Sequence, residues 1–233
     1  MPFFFFDPTI VLLIPAIVLS LYANSKVRST YNKYNKISSR NGLSGKDVAK
    51  LILQNNGIQD VEIESVKGRM TDHYDLRTRT LRLSEDNYNG KSLAAVGVAA
   101  HEVGHAIQHS QNYAPLGLRS AIIPVSSIGS KLAFPLILAG FFFQFSIFGY
   151  SLMDIGIALF SFAVIFTLIT LPVESNASSR AIAAIEGHAI LDKEEITGAK
   201  KVLNAAAMTY IAAAAVAILE LIRLLVLRNM IDN

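Results

Sequence analysis

The sequence predicts a mainly α membrane protein, about four transmembrane helices joined to a small α+β cytoplasmic domain. Three observations lead there. Of 233 residues, 52% are hydrophobic and 17% charged, with a mean hydropathy of +0.41, which is too apolar for a soluble chain of this length. No Asp, Glu, Lys or Arg occurs from Leu132 to Phe148 or from Ile155 to Val173, and each run has about the 17 to 25 residues that cross hydrocarbon. Residues 24–118, by contrast, hold most of the charge, with short alternating patterns and turn signals. This composition excludes a disordered or fibrous chain. The net charge of +3 and pI near 9.1 follow from clustered bases and do not mark a nucleic-acid surface. The absence of cysteine excludes disulfide and thiolate chemistry.

Residues 1–23 read as the first transmembrane helix. Its apolar run, Ile10 to Tyr22, has no Lys or Arg before it and Lys26, Arg28, Lys33, Lys36 and Arg40 after it, the reverse of a cleaved signal. Leu21 and Tyr22 stand where a cleavage site needs small residues, so the helix is retained, starting near Phe3, with its N-terminus outside. In residues 24–118, helical spacing runs from Leu43 to Asn56, capped near Ser44 and stopped at Gly57. Val61–Val66 and Leu76–Leu83 read as strands, the second with Leu81 and Leu83 on one face and arginines opposite. Residues 119–173 hold transmembrane helices two and three, joined by a tight turn at Gly149, Tyr150, Ser151 and Asp154. Residues 174–201 form a second polar segment. Residues 202–233 form a C-terminal apolar helix, either a fourth span or a buried Ala-rich helix, interrupted by Glu220 and Arg223 at a spacing that allows pairing.

Counting bases orients the chain. Fifteen of the 21 Lys and Arg lie between the first span and Leu132, and four more lie in residues 174–201. Basic loops stay inside, so both polar segments are cytoplasmic and the protein is a multi-pass component of the cell membrane, in contact with the lipid bilayer and not with nucleic acid.

The chemistry is carried by His101-Glu102-Val103-Gly104-His105, an HExxH pattern within SLAAVGVAAHEVGHAIQH. Helix residues four apart lie about 40° apart in azimuth and one turn up. His101 and His105 therefore present both imidazoles to one ion, with Glu102 beside them as a base toward an attacking water. Ala94, Val96, Ala99, Ala100, Val103 and Ala106 make this helix apolar nearly all round, hence buried. Two His and a Glu in such surroundings require a strong partner. His109 continues the spacing, but the helix has by then turned about 80° from His101, and Ser110, Gln111 and Asn112 signal its end. Ser110 and Gln111 also fail to extend the motif to a nearby third His.

A catalytic zinc takes three protein ligands and keeps one open position. Glu174, in LPVESNASSRA, directly follows the third span on the cytoplasmic side, where the HExxH helix also lies. Glu186 and His188 share that side, but their polar, amphipathic context reads as solvated.

These residues resemble the membrane-bound neutral zinc metallopeptidases of the YugP type, distantly similar to the gluzincins that include Ste24-like and HtpX-like membrane proteases. The resemblance runs through FDP near the N-terminus, TDHYD (Thr71–Asp75), LRLS (Leu81–Ser84), GVAAHEVGHAIQH (Gly97–His109), YAPLGLRS (Tyr113–Ser120), TLPVE (Thr170–Glu174) and LNAAAMTYIAAA (Leu203–Ala214). It implies a zincin-like catalytic domain, one zinc per chain, Glu174 as the third ligand beside His101 and His105, and a peptide or membrane-protein substrate. The sequence departs from the pattern just after that ligand. Where relatives carry an acidic partner for the first zinc His, Asn176 and Ser178 stand here, able to accept from an imidazole but without its charge.

The expected reaction is peptide hydrolysis with Glu102 as general base. His73, Tyr210 and Arg180 are the candidates to stabilise the oxyanion, and the backbone of Leu76–Leu83 is the candidate to pair with an extended substrate. Two other functions fit the same ligands: a zinc-containing membrane scaffold without turnover, from which intact Glu102 argues away, and a zinc amidohydrolase acting on a small or lipid substrate.

Overall fold

The computed structural model describes residues 8–143 and 146–232. The sequence-predicted helix start near Phe3 lies outside them. The chain is mostly helical, with one small sheet, and divides into two compact units.

One unit comprises Ala23–Gly117 and Pro172–Met208. Helix α1 (Ile14–Tyr34) enters it through its basic C-terminal half. Helix α2 (Gly45–Asn55) begins where the sequence places it. Ser44 accepts from the Asp47 N–H while Asp47 accepts from the Ser44 N–H, a reciprocal cap that satisfies two otherwise orphaned donors. Gly57 ends the segment at φ +70°.

Three strands follow: β1 (Glu62–Val66), β2 (His73–Asp75) and β3 (Thr80–Ser84), in the order β1-β3-β2. β1 runs parallel to β3, and β2 forms an antiparallel hairpin with it. The predicted strand Leu76–Leu83 is thus half turn, half strand, because Asp75 accepts from the Arg77 N–H at 2.9 Å and starts a turn over Leu76–Arg79. β3 is central, so its backbone groups are spent on β1 and β2 and cannot hold a substrate strand; the sheet edges are β1 and β2. Arg82 lies across the sheet, paired with Glu64 and Asp75 at 3.0 and 3.2 Å.

Asp72 explains why the TDHYD and LRLS segments occur together. Its carboxylate accepts from the Ser84 N–H (2.7 Å), the Ser84 hydroxyl and the Asn87 amide (2.9 Å), and Asn87 in turn accepts from Tyr31 Oη at 2.7 Å. Sheet, short helix α3 (Glu85–Tyr88) and α1 are clamped by one carboxylate. Helix α4 (Leu93–Ser110), capped by Ser92, runs through the core. Val96, Ala100 and Val103 pack with Val48 and Ile52 of α2, Leu81 and Leu83 of β3, and Ile185 and Val202 from the later helices.

The other unit comprises Met1–Tyr22, Leu118–Leu171 and Thr209–Asn233. Helices α5 (Ala114–Phe142), α6 (Ile147–Gly187) and α7 (Lys193–Asp232) supply most of it. The predicted turn at Gly149–Asp154 is displaced: α5 ends at Phe142, α6 begins at Ile147, and Gly149–Asp154 lie within the first turns of α6 instead. Ser146 Oγ accepts from the Gly149 N–H at 3.2 Å, and Asp154 pairs with Arg228 of α7 at 2.9 Å, so the polar residues cap and tie helices. Glycine serves close packing here, since a Cβ at Gly140 would press on Met153 N at 2.7 Å. Four helical stretches are long and apolar enough to cross a membrane: Pro8–Tyr34, Ala114–Phe142, Phe148–Gly187 and Lys193–Met230. Val11, Leu21, Phe134, Phe142 and Phe148 on them are each at least 62% exposed, the apolar outer surface expected of helices that meet lipid.

Candidate metal centre

The site is built by one close helix contact. Helix α4 meets the segment of α6 after Pro172 so tightly that a Cβ at Gly104 would overlap the Ala177 carbonyl. The second variable position of the HExxH motif is therefore glycine for a packing reason. That contact brings His101 and His105, one turn apart on α4, against Glu174 on α6.

The His101 Nε2 lies 3.2 Å and the His105 Nε2 3.5 Å from Glu174 Oε2. The rings stand 5.0 Å apart between centroids and 83° between planes. One donor atom from each of the three lies within 4.8 Å of the others, and among the described residues this is the group of three or more His, Asp or Glu able to hold a metal. His105 and Glu174 are buried and His101 is nearly so. Burial opposes charge on His105, yet Glu174 and Glu102 hold its pKa above the ordinary imidazole value. Glu102, on the same helix, is 8% exposed.

Behind the rings stand neutral groups. Ser178 Oγ lies 3.1 Å from His101 Nδ1, and Gln108 Oε1 lies 3.0 Å from His105 Nδ1. Gln108 Nε2 donates to the Val173 carbonyl at 2.8 Å and to Asn176 Oδ1 at 2.9 Å. Of the two positions at which the sequence departs from the acidic pattern, Ser178 touches the first His, whereas Asn176 serves the second through Gln108. Sequence reasoning missed Gln108. Its signal is a lone amide three residues after His105 on an otherwise apolar, buried helix.

The remaining candidates are placed as follows. His73 is exposed on the edge strand β2, its Nδ1 2.8 Å from the Thr71 carbonyl. Arg180 donates from Nε to Asn176 Oδ1 at 2.7 Å and from Nη1 to Gln111 Oε1 at 2.5 Å, with its guanidinium over the Tyr113 ring at 5.8 Å. Tyr210 is half-buried on the part of α7 that belongs to the other unit. The alternatives for the third ligand have other partners or none of this burial: Glu186 pairs with Lys200 at 2.8 Å, His188 is exposed, and His109 Nδ1 lies 2.9 Å from Tyr74 Oη.

A family profile described as "Putative neutral zinc metallopeptidase" matches residues 9–229. The chain belongs to this family. It is 48% identical over 214 residues to the "Putative membrane protease YugP" of Bacillus subtilis (strain 168), covering 92% of this chain and 93% of that protein. No solved structure matches. The metal that the zinc metallopeptidase family implies suits the donors present. Ligand atoms about 2.0–2.1 Å from a tetrahedral zinc stand roughly 3.3 Å apart, close to the 3.2 and 3.5 Å between Glu174 and the two imidazoles.

Proposed function

We infer that this protein is a membrane-embedded zinc metalloprotease holding one zinc per chain on His101, His105 and Glu174. The observation that carries this reading is the convergence of those three side chains, buried, beside Glu102. When bound, zinc supplies Lewis-acid polarisation and makes water a nucleophile near neutral pH. Glu102 accepts the proton of the attacking water and delivers it to the leaving amine. His73 and Arg180, which belong to the same unit as the three ligands, remain the proposed sources of oxyanion stabilisation. Edge strand β2 offers the backbone of an extended peptide a partner by strand addition, in place of the central β3.

The reading includes topology. Residues 24–118 and 174–201 build a zincin-like domain on the cytoplasmic face, and residues 1–23, 119–173 and 202–233 supply the spans. The support is the count of basic residues, since an even number of spans separates the two polar segments.

The test compares Glu102→Gln with wild type, measuring zinc content and hydrolysis of membrane-derived peptides. Glu102→Gln keeps its zinc and loses turnover by about 10²–10⁴-fold. No turnover in wild type overturns the protease reading and favours the scaffold, whereas equal turnover in the two overturns Glu102 as the general base.

A further inference from the structure

We propose that Gln108 is the positioning residue of the metal centre, fixing the proton and ring plane of His105 and locking that ring to the turn that carries Glu174, with Arg180 holding the assembly through Asn176. The proposal rests on the zinc reading of His101, His105 and Glu174.

Hydrogen-bond chemistry leaves the amide one orientation. The Val173 carbonyl can only accept, so the group facing it at 2.8 Å is the Gln108 NH₂. An Arg guanidinium can only donate, so the Asn176 atom that meets Arg180 Nε at 2.7 Å is its oxygen, and that same oxygen takes the second Gln108 N–H at 2.9 Å. Both anchors exclude a flipped Gln108. Its carbonyl therefore faces His105, whose Nδ1 at 3.0 Å must carry the proton. In the neutral ring that a metal requires, the lone pair is then left on Nε2, the nitrogen directed at Glu174. His101 has no such control. Its Nδ1 meets the Ser178 hydroxyl, which rotates and serves either as donor or acceptor.

The same amide works at the scale of the helix pair. Val173 and Asn176 flank Glu174 by one residue before and two after, so Gln108 ties the backbone beside the carboxylate to the ring it faces. Gln108 is fully buried (0% exposed), where an amide stripped of its partners is strongly disfavoured. A network of this kind, ending on the permanent charge of Arg180, holds its members in one arrangement.

The experiment uses full-length protein in detergent, with zinc affinity from chelator competition and the visible spectrum of the cobalt-substituted form. Gln108→Met, of similar volume, should bind zinc about 10–100-fold more weakly and alter the cobalt spectrum. Arg180→Leu should weaken binding by a smaller factor, whereas Asn176→Asp, which still accepts from both neighbours, should stay close to wild type. Wild-type affinity and spectrum in Gln108→Met overturn the proposal. Should Gln108→Met fail to fold, Asn176→Leu decides: weakened zinc binding supports the proposal and unchanged binding overturns it. His105→Ala separates the two levels. If it binds zinc as tightly as wild type, the metal reading itself fails, and this proposal with it; if it loses zinc while Gln108→Met does not, only the role of Gln108 fails.

Discussion

Replacing His101, His105 or Glu174 with alanine removes one of three donors held by the fold, and water cannot restore a preorganised ligand. Each variant is expected to lose most of its zinc in elemental analysis while keeping its helical circular dichroism. Full zinc in Glu174→Ala would return the third position to Glu186, His188 or His109. A different residue contributes to acid stability. The backbone N–H of Arg77, with help from Thr78 and Arg82, holds Asp75 down to about 2. An unfolded Asp titrates near 4, so this depressed carboxylate stabilises the fold fully above about pH 4, and the contribution is lost as pH falls toward 2. Asp75→Ala should lower stability by about 1 kcal/mol at pH 7, with the gap from wild type closing between pH 4 and 2 in thermal melts. At this scale the motif residues were legible, because HExxH encodes its own helical geometry. Gln108 was not, since one amide acquires meaning only from Val173 and Asn176, 65 and 68 residues away.

Helix α4 makes its close approach to α6 at Gly104. Because the obstruction is the Ala177 backbone carbonyl, no side-chain rotation relieves it. Gly104→Ala should push the helices apart at a cost of about 1–3 kcal/mol and weaken zinc binding even though no ligand is changed; unchanged affinity would show that the helix contact does not set the metal geometry. Elements with strong local signals were legible: α2 from its Ser44 cap, α4 from its apolar run, and the long apolar helices from their length. The sheet was not. β2 has only three residues, too few to alternate visibly, and the central place of β3 depends on pairing with β1, a contact that leaves no local trace. The displaced α5–α6 turn has the same origin, as Gly149 and Asp154 look like turn residues until α5 and Arg228 are there to use them.

For the whole chain, the proposed orientation makes a labelling prediction. Asn89 is exposed in the domain assigned to the cytoplasm, and no native cysteine competes. A cysteine at position 89 should react in intact cells with membrane-permeant reagents alone; labelling by an impermeant one would overturn the orientation. A reporter fused after Asn233 reads the fourth helix. An outward signal supports four spans, whereas a cytoplasmic one leaves three and makes 202–233 a buried helix. The Glu220–Arg223 pair, at 2.7 Å and under one quarter exposed on each side chain, is compatible with a span because each charge is neutralised by the other.

The three candidate ligands are two imidazole nitrogens and a carboxylate oxygen, in a chain that has no cysteine at all. Peroxide releases zinc from many proteins by oxidising the thiolates that hold it. Here it has no ligand sulfur to attack, and its targets are confined to five methionines. Protons, by contrast, compete directly for the imidazoles and the carboxylate. The metal would therefore be released by acid and retained under peroxide.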